Sequence, residues 1–320
     1  MATRESAVSD TAAAPSAAVL GRKRIRPGEA VVKGLLVVCA LVSVATTIGI
    51  VAALVEPTVE FFREVSIVEF FSLDEWAPTF QPPSFGVWPV VVGTLNVTFW
   101  ALLIALPCGL GAAIFLSEYA SPRLRRTVKP ILEVLEGIPT VAYGFFALTF
   151  VTPLIRENWP GFLGDPPGIF SAGAAGVVLG VMIIPTVASI SEDAMHSVPR
   201  SLREGAYALG STKRKVAVRV VVPAALSGII AAFVLGISRA VGETMVVLIA
   251  AGNTPNLTMD PTSAIQTMTA FIANTATGDI GVGTLKYKTI FAVGSLLFLI
   301  TFAMNMLSAR LVRKYREVYE

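Results

Sequence analysis

Six apolar stretches, near residues 33–55, 88–116, 131–153, 171–190, 223–250 and 288–309, constrain this chain of 320 residues more than any other feature. A helix needs roughly 20 apolar residues to cross a hydrocarbon core of about 30 Å, and each stretch reaches that length. Inside a bilayer the backbone must satisfy its own hydrogen bonds, so each stretch is expected as a helix. With 54% hydrophobic and only 15% charged residues, too little polar surface remains for one soluble core. The expected fold class is all-α integral membrane, with six transmembrane helices.

The basic residues set an orientation. Six Lys or Arg lie in the segment through Lys33, four over residues 122–130, six over 191–222 and four from Arg310 onward. The alternating segments carry only Arg63, Arg156, Lys286 and Lys288. The positive-inside rule then places both termini in the cytoplasm of a multi-pass protein of the cell membrane. The net charge of +3 is a topology signal and predicts no nucleic-acid partner. Residues 1–30 are expected as a disordered basic cytoplasmic tail and 31–320 as the six-span transmembrane domain. The first apolar run is too long for a signal-peptide core and has no small-residue cleavage site behind it, so it is expected to remain as an anchor. Cys39 and Cys108 give neither metal spacing nor a disulfide framework and are expected as buried apolar packing.

Between the first two spans, residues 61–76 mix aromatics with acids, and a Pro-rich stretch follows. This segment reads either as an amphipathic segment lying on the outer membrane face or as an irregular outer loop. In the second span Pro107, with Gly109 and Gly111 close by, predicts a kink or a close helix crossing. In the third, Gly137-Ile138-Pro139 predicts a helix facing the bundle centre, where neighbouring protein satisfies the freed backbone. No internal repeat supports an inverted-repeat secondary transporter.

The loop over residues 191–222 has its own grammar. Pro199 and Ser201 start a helix running to Leu209, Gly210 supplies a left-handed stop, and Ser211 or Thr212 caps the next helix. Val216 to Val222 return the chain to the bilayer, with Pro223 in the first turn of the fifth span. Glu204 is expected to face a charged partner group, and Lys213, Arg214 and Lys215 to meet lipid phosphates or that partner.

In the fifth span, Arg239 and Glu243 stand one helical turn apart and would share a face. A charge at mid-membrane costs from about 2.5 kcal/mol upward, so such residues normally face a wet pathway or a charged partner. In one reading Arg239 attracts an anion in the pathway while Glu243 holds Arg239 and prevents a permanently trapped substrate, with Thr244 in the same pathway. In the other the pair is a structural bridge, which an i, i+4 pair worth only about 0.3–0.5 kcal/mol in water does little to justify. His196, the only histidine, has no second ligand near it, so no metal site is expected. No phosphate-cradling Gly-rich loop appears, so this chain is expected to bind no cofactor of its own. No nucleophile, base and metal constellation argues for an enzyme.

Glu204, Gly205, Ala206, Gly210 and Pro223 resemble the coupling loop by which membrane subunits of ABC importers engage their ATPases, with Gly205 in place of the usual second alanine. Gly93-Thr94-Leu95, Phe115-Leu116-Ser117-Glu118-Tyr119, Glu136-Gly137-Ile138-Pro139 with Tyr143-Gly144, and Ser238 to Met245 with Gly252-Asn253 extend the likeness over residues 88–253. Together they resemble the PstC permeases of phosphate-specific ABC importers, and Met245 and Asn253 fit PstC better than the sister permease PstA. The resemblance implies the type I importer permease fold and transport of inorganic phosphate into the cytoplasm. It also implies coupling through the 199–223 loop, a PstA partner, a PstB ATPase dimer that uses the ATP, and an extracytoplasmic binding protein PstS. Another oxyanion such as sulfate or molybdate, the PstA-type role, and an ATPase-independent channel stand as alternatives.

Overall fold

The computed structural model describes residues 27–314. Most of the expected disordered tail lies outside the described residues, and its last four residues, 27–30, belong instead to the first helix. The chain divides into two compact units, residues 1–52 and 53–320. The described part of the first is the opening of α1 (Pro27–Glu64), whose apolar side chains are exposed on every face, among them Val31, Leu35, Leu41 and Ile48. A helix apolar all round is suited to lipid.

The second unit opens with the last turns of α1, a short α2 (Ile67–Phe70), and a ribbon of β1 (Trp76–Ala77) and β2 (Ser84–Phe85) paired antiparallel. This region combines a short helix, a small ribbon and turns. Phe61, Phe70, Trp76 and Phe85 are buried in one aromatic cluster. Phe61 meets Phe70 and Phe85 edge-on at 5.7 and 5.6 Å, and Trp76 meets Phe271 of α13 (Met268–Thr277) at 4.9 Å. Edge-to-face contacts of this kind add to area burial, which explains why the aromatics turn inward while the acids stay at the rim. Glu60 and Glu64 pair with Lys288 of α14 (Leu285–Lys314) at 3.1 and 2.8 Å.

The next elements are α3 (Trp88–Ile114), extended by a wide π turn over Phe115–Tyr119, then α4 (Pro122–Glu136), α5 (Thr140–Phe146), a second π turn at Ala147–Val151, and α6 (Thr152–Glu157). There follow α7 (Ala172–His196), α8 (Arg200–Ala208), α9 (Lys213–Val216), a third π turn at Ala217–Val221, α10 (Val222–Ala224), α11 (Leu226–Gly242) and α12 (Met245–Ala250). Among the described residues, four helices are long and apolar enough to cross a membrane, and the number reaches six if each of two bent pairs counts as one span. α4 meets α5 and α6 at 87°, and the α9–α10 segment meets α11 at 73°. The expected third stretch is thus broken at Gly137-Ile138-Pro139, and the fifth is interrupted at Ala225 and again after Gly242, with α12 carrying it on to Ala250.

α7 is the centre of this unit, with 67% of its apolar window buried. The crossing with α3 is close because glycines face the neighbouring backbone. A Cβ on Gly180 would stand 2.7 Å from the Ala101 carbonyl oxygen. The third span is more peripheral than its proline and glycine predict: Gly144, Ala147 and Thr152 are buried on it, while Phe145, Phe146 and Phe150 are exposed. Cys39 and Cys108 are also exposed on the helix surfaces, contrary to the expected burial, since their positions in apolar spans face outward from this chain.

The segment between α12 and α13 is strapped over the start of α7 and α3. Asn96 donates to the Thr258 carbonyl at 3.0 Å, and Gly173 N–H donates to the Pro261 carbonyl at 2.7 Å. The Asp260 carboxylate accepts from the Thr262 backbone N–H and from the Thr262 and Ser263 hydroxyls, which holds its pKa below the usual carboxylate range.

Candidate functional site

Two groups of predicted residues occupy separate places. The first is the α8 turn. Its helix begins after Pro199 and ends in a Schellman arrangement, in which Ser211 N–H donates to the Ala206 carbonyl at 3.1 Å and Gly210 N–H to the Tyr207 carbonyl at 2.9 Å. Gly210 takes φ +76°, the left-handed value that favours glycine. Thr212 stands at the start of α9 but makes no side-chain cap, so that part of the expected capping does not form. Glu204 and Gly205 are exposed, Ala206 is half-buried, and Tyr207 and Leu209 present apolar surface beside them. Pro223 occupies the opening turn of α10, two residues before the 73° bend.

No residue of α8 is buried, so burial does not hold this helix in place. Arg203 does. Its Nε and Nη2 donate to Glu118 Oε1 at 3.2 and 3.0 Å, Nη1 to the Val198 carbonyl at 2.6 Å and Nη2 to the Met195 carbonyl at 2.8 Å. Arg203 thereby ties the helix to the end of the second span and to the exit of α7. Reasoning from the sequence missed this role, although Glu118 was a signal: it is a lone acid closing an apolar span, where an unpaired carboxylate is costly.

The second group surrounds Arg239. The expected bridge to Glu243 does not exist, because α11 ends at Gly242 and Glu243 is extended at φ −66° and ψ 134°. The Glu243 carboxylate instead accepts from the backbone N–H groups of Met245 and Val246 at 3.0 and 3.2 Å, capping α12. Thr244 opens α12 and its hydroxyl donates to the Gly242 carbonyl at 3.3 Å. Arg239 pairs across the unit with Glu136, Nη1 to Oε1 at 2.6 Å. The same Nη1 reaches Thr186 Oγ1 at 2.9 Å, and Thr186 donates to Glu136 Oε1 at 2.9 Å. Three elements meet at this triad: the end of α4, the middle of α7 and the last turn of α11. Its charged members keep 27% and 37% of their side-chain surface open, so the guanidinium still has an accessible edge.

A family model described as "Binding-protein-dependent transport system inner membrane component" matches residues 105–317, a stretch that contains both groups. The chain belongs to this family. Among its relatives, the "Probable ABC transporter permease protein YqgH" of Bacillus subtilis is 38% identical over 280 residues, covering 86% of this chain and 89% of the relative. The "Phosphate transport system permease protein PstC" of Xylella fastidiosa is 36% identical, covering 77% and 80% of the two chains. The protein of that name from Pasteurella multocida is also 36% identical, covering 75% and 78%. In fold the chain resembles a chain of the bacterial alginate ABC transporter, with TM-score 0.61 at 15% identity over 90% of this chain and 96% of the other. It also resembles a chain of the MetNI methionine ABC transporter, with TM-score 0.51 at 22% identity, covering 72% and 94%. Membership of a membrane-component family accords with the multi-pass helical fold described above.

Proposed function

We propose that this chain is a permease subunit of an ATP-driven importer of inorganic phosphate, working beside a sister permease of the PstA type. A PstB-type ATPase dimer would engage the exposed face of α8, and a PstS-type binding protein would deliver phosphate from outside. The observation that carries the substrate assignment is the 36% identity to PstC proteins over three quarters of the chain. Both termini lie in the cytoplasm in this reading, since the α8 turn and the arginine-rich segment of α4 are the basic sides of their spans.

Arg239 serves the pathway. It presents the open part of its guanidinium to a tetrahedral oxyanion, for which planar Arg donors are well matched. Glu136 neutralises it when no anion is present, and arriving phosphate exchanges with that carboxylate. Glu204, Gly205, Ala206, Gly210 and Pro223 form the turn that transmits ATPase movement to the bent fifth span. No cofactor is assigned to the chain itself, and ATP is consumed by the partner.

The test is ATP-dependent uptake of radiolabelled phosphate into vesicles holding the four kinds of subunit, challenged by excess sulfate and molybdate. Uptake that requires ATP and resists both competitors supports the proposal. Suppression by either competitor transfers the substrate to another oxyanion. Arg239→Gln is expected to abolish uptake while the complex remains assembled, and retained uptake would remove Arg239 from the pathway.

A further inference from the structure

On the side of the molecule that carries α8, a cavity of about 590 Å³ opens between the end of α3, the first turns of α4, the exit of α7 and the start of α8. Its lining includes Arg125, Arg126, Lys129 and Arg200, with Glu133 as the one carboxylate. The four cations fall into two kinds. Arg125 and Lys129 are held from behind by the buried Glu192 at 2.5 and 3.1 Å, and Lys129 also meets Asp193. Arg125 Nη1 further donates to the His196 ring at 3.0 Å. These contacts fix both side chains at the rim. Arg126 and Arg200 make no hydrogen bond or ion pair among the described residues, and both are exposed.

We infer that this cavity is a binding site for a phosphate group, separate from the Arg239 pathway. Arg125 and Lys129 form its fixed wall and Arg126 and Arg200 close on the ligand. Planar guanidinium groups present paired N–H donors that match phosphate oxygens, and a lysine adds a point charge. Leu116, Ala120, Pro122 and Pro130 give the cavity an apolar floor. That combination suits the phosphodiester headgroup of an anionic lipid, whose glycerol end meets the apolar part, and it also admits inorganic phosphate. No residue of α4 is buried, which leaves its basic residues open to a headgroup.

The assembled transporter is the material for the test, as wild type and as Arg126→Gln/Arg200→Gln, two exposed side chains without partners whose loss leaves packing intact. In one arm, native mass spectrometry follows retention of phosphatidylglycerol through delipidation, with phosphatidylcholine as control. In the other, binding of radiolabelled inorganic phosphate is measured in an Arg239→Gln background, which removes the pathway contribution. Retention of phosphatidylglycerol that weakens by about tenfold or more in the double variant supports the site and identifies its source as lipid. A loss of that size confined to inorganic phosphate supports the site with the free anion as ligand. Equal binding of both probes by wild type and variant overturns the inference, as does the absence of both from wild type. Loss of ATPase association in the double variant with neither probe affected would also overturn it, and would assign the face to the ATPase.

Discussion

Arg203→Met is the perturbation that most directly separates the shape of the α8 turn from its attachment. The substitution keeps a long apolar stem but removes the donors reaching Glu118 and the carbonyls of Met195 and Val198. Glu118 keeps only 5% of its side-chain surface, and its one remaining side-chain hydrogen bond is from Ser117 at 3.1 Å. Removing one partner of a buried ion pair typically costs about 3–5 kcal/mol, because the other charge stays buried without compensation. Arg203 retains 17% of its own surface, which places this pair toward the lower end of that range. Adding Glu118→Gln should recover part of the loss, with a coupling energy of about 1–3 kcal/mol. Thermal unfolding of the purified complex reads the stability, and the ratio of ATP hydrolysed to phosphate imported reads the coupling. The single variant is expected to unfold at lower temperature and to hydrolyse ATP with little import, while Arg203→Met/Glu118→Gln unfolds closer to wild type. Wild-type unfolding and coupling in Arg203→Met, or a double variant as unstable as the sum of the singles, would refute the reasoning.

Glu136→Gln removes the carboxylate that neutralises Arg239; it is expected to lower the KM for phosphate uptake several-fold and to slow release, and an unchanged KM in vesicle uptake would count against the exchange of carboxylate for anion. Gly180→Val would press a side chain against the Ala101 carbonyl at 2.7 Å and Ile104 at 3.1 Å, so the chain should fail to accumulate in the membrane on immunoblotting. At Gly210 the space is open but φ is +76°, so Gly210→Ala should cost about 1–2 kcal/mol locally and weaken ATPase co-purification without unfolding the spans. Undiminished co-purification would free the turn from any conformational demand.

The six apolar runs were legible because bilayer length and composition are local properties, and the α8 turn was legible because its start, its glycine stop and its return are all punctuated in the chain. What escaped was tertiary. The Arg239–Glu243 pair rested on a spacing rule that presumes one unbroken helix, yet the helix ends between the two residues, and Gly242 before a carboxylate able to cap Met245 and Val246 was the sign of it. The aromatics of residues 61–76 likewise look amphipathic in isolation, and become a core only when Phe271 and α14 arrive from far along the chain. Two helix breaks and the Arg239–Glu136 ion pair lie together. Glu136 is the last residue of α4 before an 87° break, and Arg239 stands in the last turn of α11 before Glu243 interrupts the helix. Backbone freed from helical pairing at membrane depth must line protein or a wet cavity, and the same locations are where a charged side chain is least costly. Gly137-Ile138-Pro139 and Gly242-Glu243 thus do more than shape two helices: they bracket the place where Arg239 and Glu136 meet, so straightening either break should remove the ion pair even with both charged residues left in place.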